Sequence, residues 1–140
     1  MEKTTVHLEI LTPDRKLVDT EAKFVSAPGT EGEFGVLPGH AELFSLLRSG
    51  EVCYEDHHGK HYVAVSWGYA HVDTSTVALL VENAERAEDI NLERAIKDRD
   101  KWEQELAGVT QEGVKFFPGY RAKLERAQAR VDVASRVARK

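Results

Sequence analysis

One cysteine in 140 residues leaves this chain without an internal disulfide. Cys53 stands between Val52 and Tyr54 in GEVCYED, a strand-like setting, and reads as a structural thiol rather than a reactive one. Long apolar runs are also missing. No stretch approaches the roughly 20 consecutive apolar residues that cross a bilayer, and MEKTTVHLEI lacks the apolar core of a secretory signal. The expectation is a soluble chain that stays where it is made. A net charge of −5 argues against nucleic acid as the main partner. Phosphate-cradling patterns are absent too. The glycines of Gly29-Thr30-Glu31-Gly32-Glu33-Phe34-Gly35 lack dinucleotide-turn spacing, no helix is predicted after them, and no Walker lysine follows. His57, His58 and His61 surround a predicted turn at Gly59 with no matched cysteine, and read as turn histidines rather than zinc ligands. No Ser, His and Asp set groups itself, so an enzyme is the weaker hypothesis and no cofactor is required.

What is present divides into two halves. Residues 1–83 hold 6 Lys/Arg against 13 Asp/Glu, whereas residues 84–140 hold 13 against 11. The first half carries period-two alternation at Thr5 to Ile10, and short strand-like runs at Lys23 to Ala27, Gly50 to Glu55, His61 to Ser66, Tyr69 to Asp73 and Thr76 to Glu82. Turn signals such as Pro28-Gly29, Pro38-Gly39 and His58-Gly59 separate them. With no helical pattern between the runs, this half predicts an all-β sandwich or barrel over residues 1–83.

Residues 84–140 change period. Leu92, Ala95, Ile96, Trp102 and Leu106 share a helix face, with Asn91 suited to the N-cap. Gly108, Gly113, Pro118 and Gly119 break the pattern, although Phe116 and Phe117 are too apolar for a wholly solvated loop. A second helix is predicted from Tyr120 to the end. Its stripe of Leu124, Ala127, Val131, Ala134 and Ala138 is mostly small and buries little area, so the hairpin is expected to be lightly attached. Trp102 opposes that by anchoring the hairpin to the sandwich or to the second helix. Trp67 either fills a core gap or adds an apolar contact patch.

The stretch from Ser26 to Ala41, with Gly32-Glu33-Phe34-Gly35 leading to Pro38-Gly39-His40, resembles the hallmark loop of the epsilon subunits of bacterial F-type ATP synthases. Leu8 to Pro13, the strand pair around Tyr62 to Asp73, Glu85 to Ile90, Arg94-Ala95 and Arg126-Ala127 extend the resemblance over essentially the whole chain. It implies a ten-stranded β sandwich followed by a two-helix hairpin, in a non-catalytic central-stalk subunit that couples ion flow to ATP synthesis. It also implies partners: the gamma subunit, the c-subunit ring, and the alpha and beta subunits when the helices extend. The location implied is the cytoplasmic face of the bacterial inner membrane, peripheral and not inserted in the bilayer.

By the same resemblance, Glu33 and His40 match positions that face the c ring, although those glycines also suit plain tight turns. Arg121, Lys123, Arg126, Arg130, Arg136 and Arg139 form the basic helix that would restrain hydrolysis, or simply a solvated face. Regulatory ATP in some relatives implies a candidate site at Glu85, Asn91, Arg94, Ala95, Arg126 and Arg130. Asn91 there replaces the motif's Asp, which removes a charge-assisted hydrogen bond. The alternative function is a stand-alone nucleotide-sensing or adaptor β-sandwich protein.

Overall fold

The computed structural model describes residues 4–108 and 119–137. Ten strands come first: β1 (Val6–Leu11), β2 (Lys16–Ala22), β3 (Phe24–Gly29), β4 (Gly32–Val36), β5 (Leu43–Leu47), β6 (Gly50–Asp56), β7 (Gly59–Val65), β8 (Gly68–Val72), β9 (Thr76–Val81) and β10 (Ala84–Arg86). Alternation decides their faces. Val6, Leu8 and Ile10 of β1 are fully buried while His7 and Glu9 turn outward, and Val77, Leu79 and Val81 do the same for β9. Those two strands lie parallel; the other ladders are antiparallel.

The strand order is β10-β7-β6-β3-β5-β8-β9-β1-β2, with β4 on the far side of β3. Strand β3 is the joint. Phe24 to Ser26 pair with β6, while Gly29 pairs with Leu47 of β5, so one edge of a single strand serves both layers. The sheet doubles over there and sets β2 against β6. Arg86 fastens the layers, donating from Nη2 to the Leu17 carbonyl at 2.7 Å and from Nη1 to the Tyr54 hydroxyl at 3.5 Å. Leu8, Ile10, Leu47, Tyr54, Leu79 and many valines fill the space between.

Four strands carry little signal in sequence. β2 places charged residues around its buried Val18 and Ala22, β4 holds two glycines, and β10 is three residues long. β5 reads LFSLL without alternation because Phe44 and Leu46 face outward. β10 pairs with Val63 to Val65 of β7, which carries the sheet past Asn83 before a short 3-10 turn at Ala87–Asp89.

Two helices follow, α1 (Leu92–Ala107) and α2 (Gly119–Ala134). The Asn91 side chain caps α1 by accepting the Arg94 N–H at 3.0 Å. α2 stops at Ala134 instead of continuing. Arg136 N–H closes back on the Val133 carbonyl at 3.0 Å, a tight last turn, and the Ser135 hydroxyl donates to the Val131 carbonyl at 2.7 Å. Arg136 therefore lies beyond the helix. Arg139 and Ala138 fall outside the described residues, as do Gly113, Phe116, Phe117 and Pro118. The expected stripe is present at Ala127, Val131 and Ala134, but Ala129 and Val133 are buried as well. α2 is covered by α1 and by the sandwich together, which widens its buried face. Ala64, Ala87 and Ile90 of the β side meet Ala95, Val131, Val133 and Ala134 of the helices. Among the described residues no helix is long and apolar enough to cross a membrane.

Candidate functional site

Two arginines fasten the hairpin to the sandwich. Arg130 of α2 reaches Glu85 on β10, with Nε 2.9 Å from Oε1 and Nη2 donating to Oε2 at 3.3 Å. The Nε contact is out of line for a hydrogen bond, so much of this attraction is Coulombic. Nη1 also donates to Asp98 of α1 at 3.4 Å, which ties three elements together. Arg136 donates from Nε to Glu51 of β6 at 2.9 Å and lies over the Tyr62 ring at 5.6 Å.

Beside Arg130 opens a cleft of about 290 Å³ lined by Asp98, Trp102, Lys123, Arg126, Ala127 and Arg130. Trp102 packs on Tyr120 of α2 with ring centroids 5.6 Å apart, and the Lys101 and Lys123 ammonium groups stand 4.9 and 4.5 Å from its ring. Trp102 thus joins helix to helix, and it lines a cationic cleft. Cys53 is half-buried on β6. Burial, with Glu51 adding to it, pushes its thiol pKa up and keeps it protonated.

A different face is apolar and open. Trp67, Phe44, Leu46 and Tyr69 are 64%, 63%, 60% and 41% exposed. Registration aligns this face in rows: Leu46, Tyr69, Leu80 and Leu11 stand opposite one another across β5, β8, β9 and β1, and Phe44 stacks on Tyr69 at 5.4 Å. Gly68 makes this possible, because a Cβ there would meet the Leu80 carbonyl oxygen at 2.1 Å. Trp67 stands at the start of that close approach. It belongs to the surface patch and not to the core.

Comparison with known proteins gives a consistent answer. The family described as ATP synthase, Delta/Epsilon chain, beta-sandwich domain matches residues 5–87. The ATP synthase epsilon chain of Citrifermentans bemidjiense is 45% identical over 133 residues, 95% of this chain and 96% of that one. The chain belongs to the ATP synthase epsilon chains. Its counterpart in Nitratidesulfovibrio vulgaris (strain DP4) is 46% identical over 133 residues, 95% of this chain and 97% of the other. A chain in the Euglena gracilis mitochondrial ATP synthase OSCP/F1/c-ring structure superposes with a TM-score of 0.80 at 22% identity, covering 96% of this chain and 84% of that one, and so shares its fold. An epsilon chain is a non-catalytic stalk subunit of ATP synthase.

The predicted site residues of this epsilon chain fall in several places. Arg130 pairs with Glu85 on one side and shares a cleft with Arg126 on the other, and it also binds Asp98, which sequence reasoning missed because only helix packing places it there. Asn91 serves as a helix cap, Arg94 is exposed, and the Ala95 side chain is fully buried against the sandwich. Arg121 and Lys123 are exposed on α2, whereas Arg130 is half-buried by its ion pairs. Glu33 lies in β4 and not in a loop. The chain reverses at Thr30-Glu31, and Glu33 pairs opposite Pro28 while lining a 470 Å³ cleft with Arg48, Glu51, Asp132 and Arg136. His40 follows the other end of β4, where Gly39, at φ +83°, donates to the Thr74 carbonyl at 3.0 Å. His57 and His58 are exposed in the turn between β6 and β7, whereas His61 lies within β7, half-buried, with Nε2 2.8 Å from Asp56 Oδ1.

Proposed function

We propose that this epsilon chain is a coupling foot of the central stalk whose helices restrain ATP hydrolysis. The observation that carries the reading is the open apolar face of Phe44, Leu46, Trp67 and Tyr69 on an otherwise well-filled sandwich. That face suits the gamma subunit, with aromatic anchors of the kind that dominate protein interfaces. Glu33 in β4 and His40 beyond its end then contact the c ring. The sandwich sits on the cytoplasmic face of the bacterial inner membrane, peripheral to the bilayer, and supports coupling of ion flow to synthesis.

The helices act as the brake. Folded, Arg130 and Arg136 are satisfied by Glu85, Asp98 and Glu51. Extended, these arginines with Arg121, Lys123, Arg126 and Arg139 meet acidic segments of the alpha and beta subunits, exchanging one set of carboxylates for another. Two packings of similar free energy are the requirement for such a switch.

ATP hydrolysis by the catalytic head stripped of its epsilon chain tests this. Full-length chain should inhibit on addition, while a version ending at Ile90, which keeps β10 and the turn after it, should bind without inhibiting. Binding by both with inhibition by neither would remove the brake from the reading. Binding by neither would remove the stalk role.

Regulatory ATP extends the same reading. Arg126, Arg130 and Lys123 converge beside an aromatic ring, a fitting environment for a triphosphate, and ATP would compete with Glu85 and Asp98 for Arg130. Titration of Trp102 fluorescence with ATP checks it: a saturable change lost in Arg126→Gln supports the site, and no change in the wild-type chain removes it.

A further inference from the structure

On the β1 and β2 edge, His7 is enclosed by three carboxylates. Nε2 lies 2.8 Å from Asp19 Oδ1 and 3.4 Å from Glu9 Oε1, and Nδ1 lies 3.1 Å from Glu21 Oε1. The ladder sets this arrangement. His7 stands opposite Glu21 and Glu9 opposite Asp19, and residues two apart on a strand share a face. Potential ligand atoms of His7, Glu9 and Asp19 lie within 4.8 Å of one another, a convergence that occurs once among the described residues.

We propose that His7, Glu9 and Asp19 bind a divalent transition metal ion of the zinc type, with Glu21 orienting the imidazole. Ligand atoms bound to zinc at 2.0–2.2 Å in a tetrahedron stand about 3.3 Å from one another. The two separations at His7 Nε2, 2.8 and 3.4 Å, bracket that value, and the Glu9 and Asp19 oxygens, within 4.8 Å of each other, close onto the ion by rotation of their side chains. Glu21 supplies what a ligating histidine ordinarily has: a carboxylate on its other ring nitrogen, fixing the tautomer that aims the Nε2 lone pair at the metal. Glu21 is itself steadied by the Thr5 hydroxyl, which donates to Oε2 at 2.9 Å.

Charge favours the same occupant. Once the imidazole has given up its proton, as a metal ligand must, it sums with three carboxylates and the nearby Lys16 to −2, which a divalent ion cancels. Lys16 approaches the opposite oxygens, Asp19 Oδ2 at 3.4 Å and Glu9 Oε2 at 3.7 Å, and leaves the two oxygens beside His7 to the metal. The imidazole selects zinc-like ions over calcium or magnesium, which prefer all-oxygen shells. Three protein ligands leave a fourth position open on the outer face of the sheet. Glu9 there stands opposite Ala78 in the row that continues to His71 and Phe44, so the site borders the apolar patch.

Calorimetric titration of the full chain with zinc in a non-coordinating buffer, with two-dimensional NMR of the histidine rings, tests the assignment. One saturable site should appear and shift the His7 ring resonances. His7→Gln should weaken binding at least tenfold, and Glu21→Gln by about tenfold, the usual cost of removing an outer partner. Lys16→Met should tighten binding several-fold by removing a like charge near the metal. Lys16 and Glu21 are exposed and His7 is half-buried on the outer face of the sheet, so all three changes leave the core intact. Absence of saturable binding to the wild-type chain overturns the proposal. So does unchanged affinity in His7→Gln, or ring shifts confined to His57 and His58.

Discussion

Leu8, Ile10, Leu47 and Leu79 fill the sandwich, whereas the fully buried part of its border with the helices is mostly Ala64, Ala87, Ala95 and Ala134 with Ile90, Val131 and Val133, and the larger Tyr62, Leu92, Ile96 and Val137 pack around it only partly buried. Apolar burial contributes about 25 cal/mol per Å², so an alanine contact is weak where a leucine contact is strong. The border makes up part of that difference with Arg130 and Arg136, whose ion pairs are partly exposed, the Arg136 pair more than the half-buried Arg130 pair, so that salt weakens them. A region held by leucines resists opening in pieces. One held mostly by alanines and arginines is expected to open first, with its neighbour still folded.

The largest expected effect lies inside the sandwich. Leu8→Ala or Leu79→Ala should lower global stability by about 2–5 kcal/mol, read from urea denaturation. A loss no greater than that of the helix variants would erase the contrast between the regions.

Asp56 comes next. Desolvation pushes its carboxyl pKa up, but hydrogen bonds from the His58 N–H and His61, each at 2.8 Å, outweigh that and hold it below the usual 3.8. With a depressed folded pKa, its contribution is fully present above the unfolded value and is lost as pH falls through the folded one. Asp56→Ala should cost about 1–3 kcal/mol near neutrality and flatten the acid limb of the stability curve, measured by urea midpoints against pH.

At the border, Val133→Ala removes two buried methylene equivalents, roughly 1.6 kcal/mol. Hydrogen exchange should show loss of protection in α1 and α2 amides with the sandwich amides unmoved. Equal loss in both would show that the hairpin and sandwich open as one unit. Arg136→Gln is the smallest change, about 1 kcal/mol or less for an exposed pair. Its effect on helix protection should vanish in high salt.

Much of this was legible from periodicity, because burial of every second residue follows directly from strand geometry. β1 and β9 declare themselves that way, and Asn91 declares the start of α1 by its short polar side chain. The strands that hid were β5, whose outward face is apolar, β4, whose glycines dilute the pattern, β2, whose charged residues crowd its two buried positions, and the three-residue β10. The candidate sites were less legible. Glu85 and Arg130 are separated by 45 positions, and Asp98 gives no local sign that it joins them.

Local sequence therefore determined the two-part architecture and the cap of α1, since each depends on neighbours one to four residues away; the buried face of α2 came out wider than its own stripe because the sandwich covers Ala129 and Val133 too. Tertiary structure alone decided that Trp67 faces solvent, that α2 ends at Ala134, that Arg130 bridges Glu85 and Asp98, and that His7 is ringed by Glu9, Asp19 and Glu21. Those outcomes depend on strand register and on which face a helix finds to cover. A one-residue slip of β2 against β1 would send Asp19 and Glu21 to the opposite side of the sheet from His7.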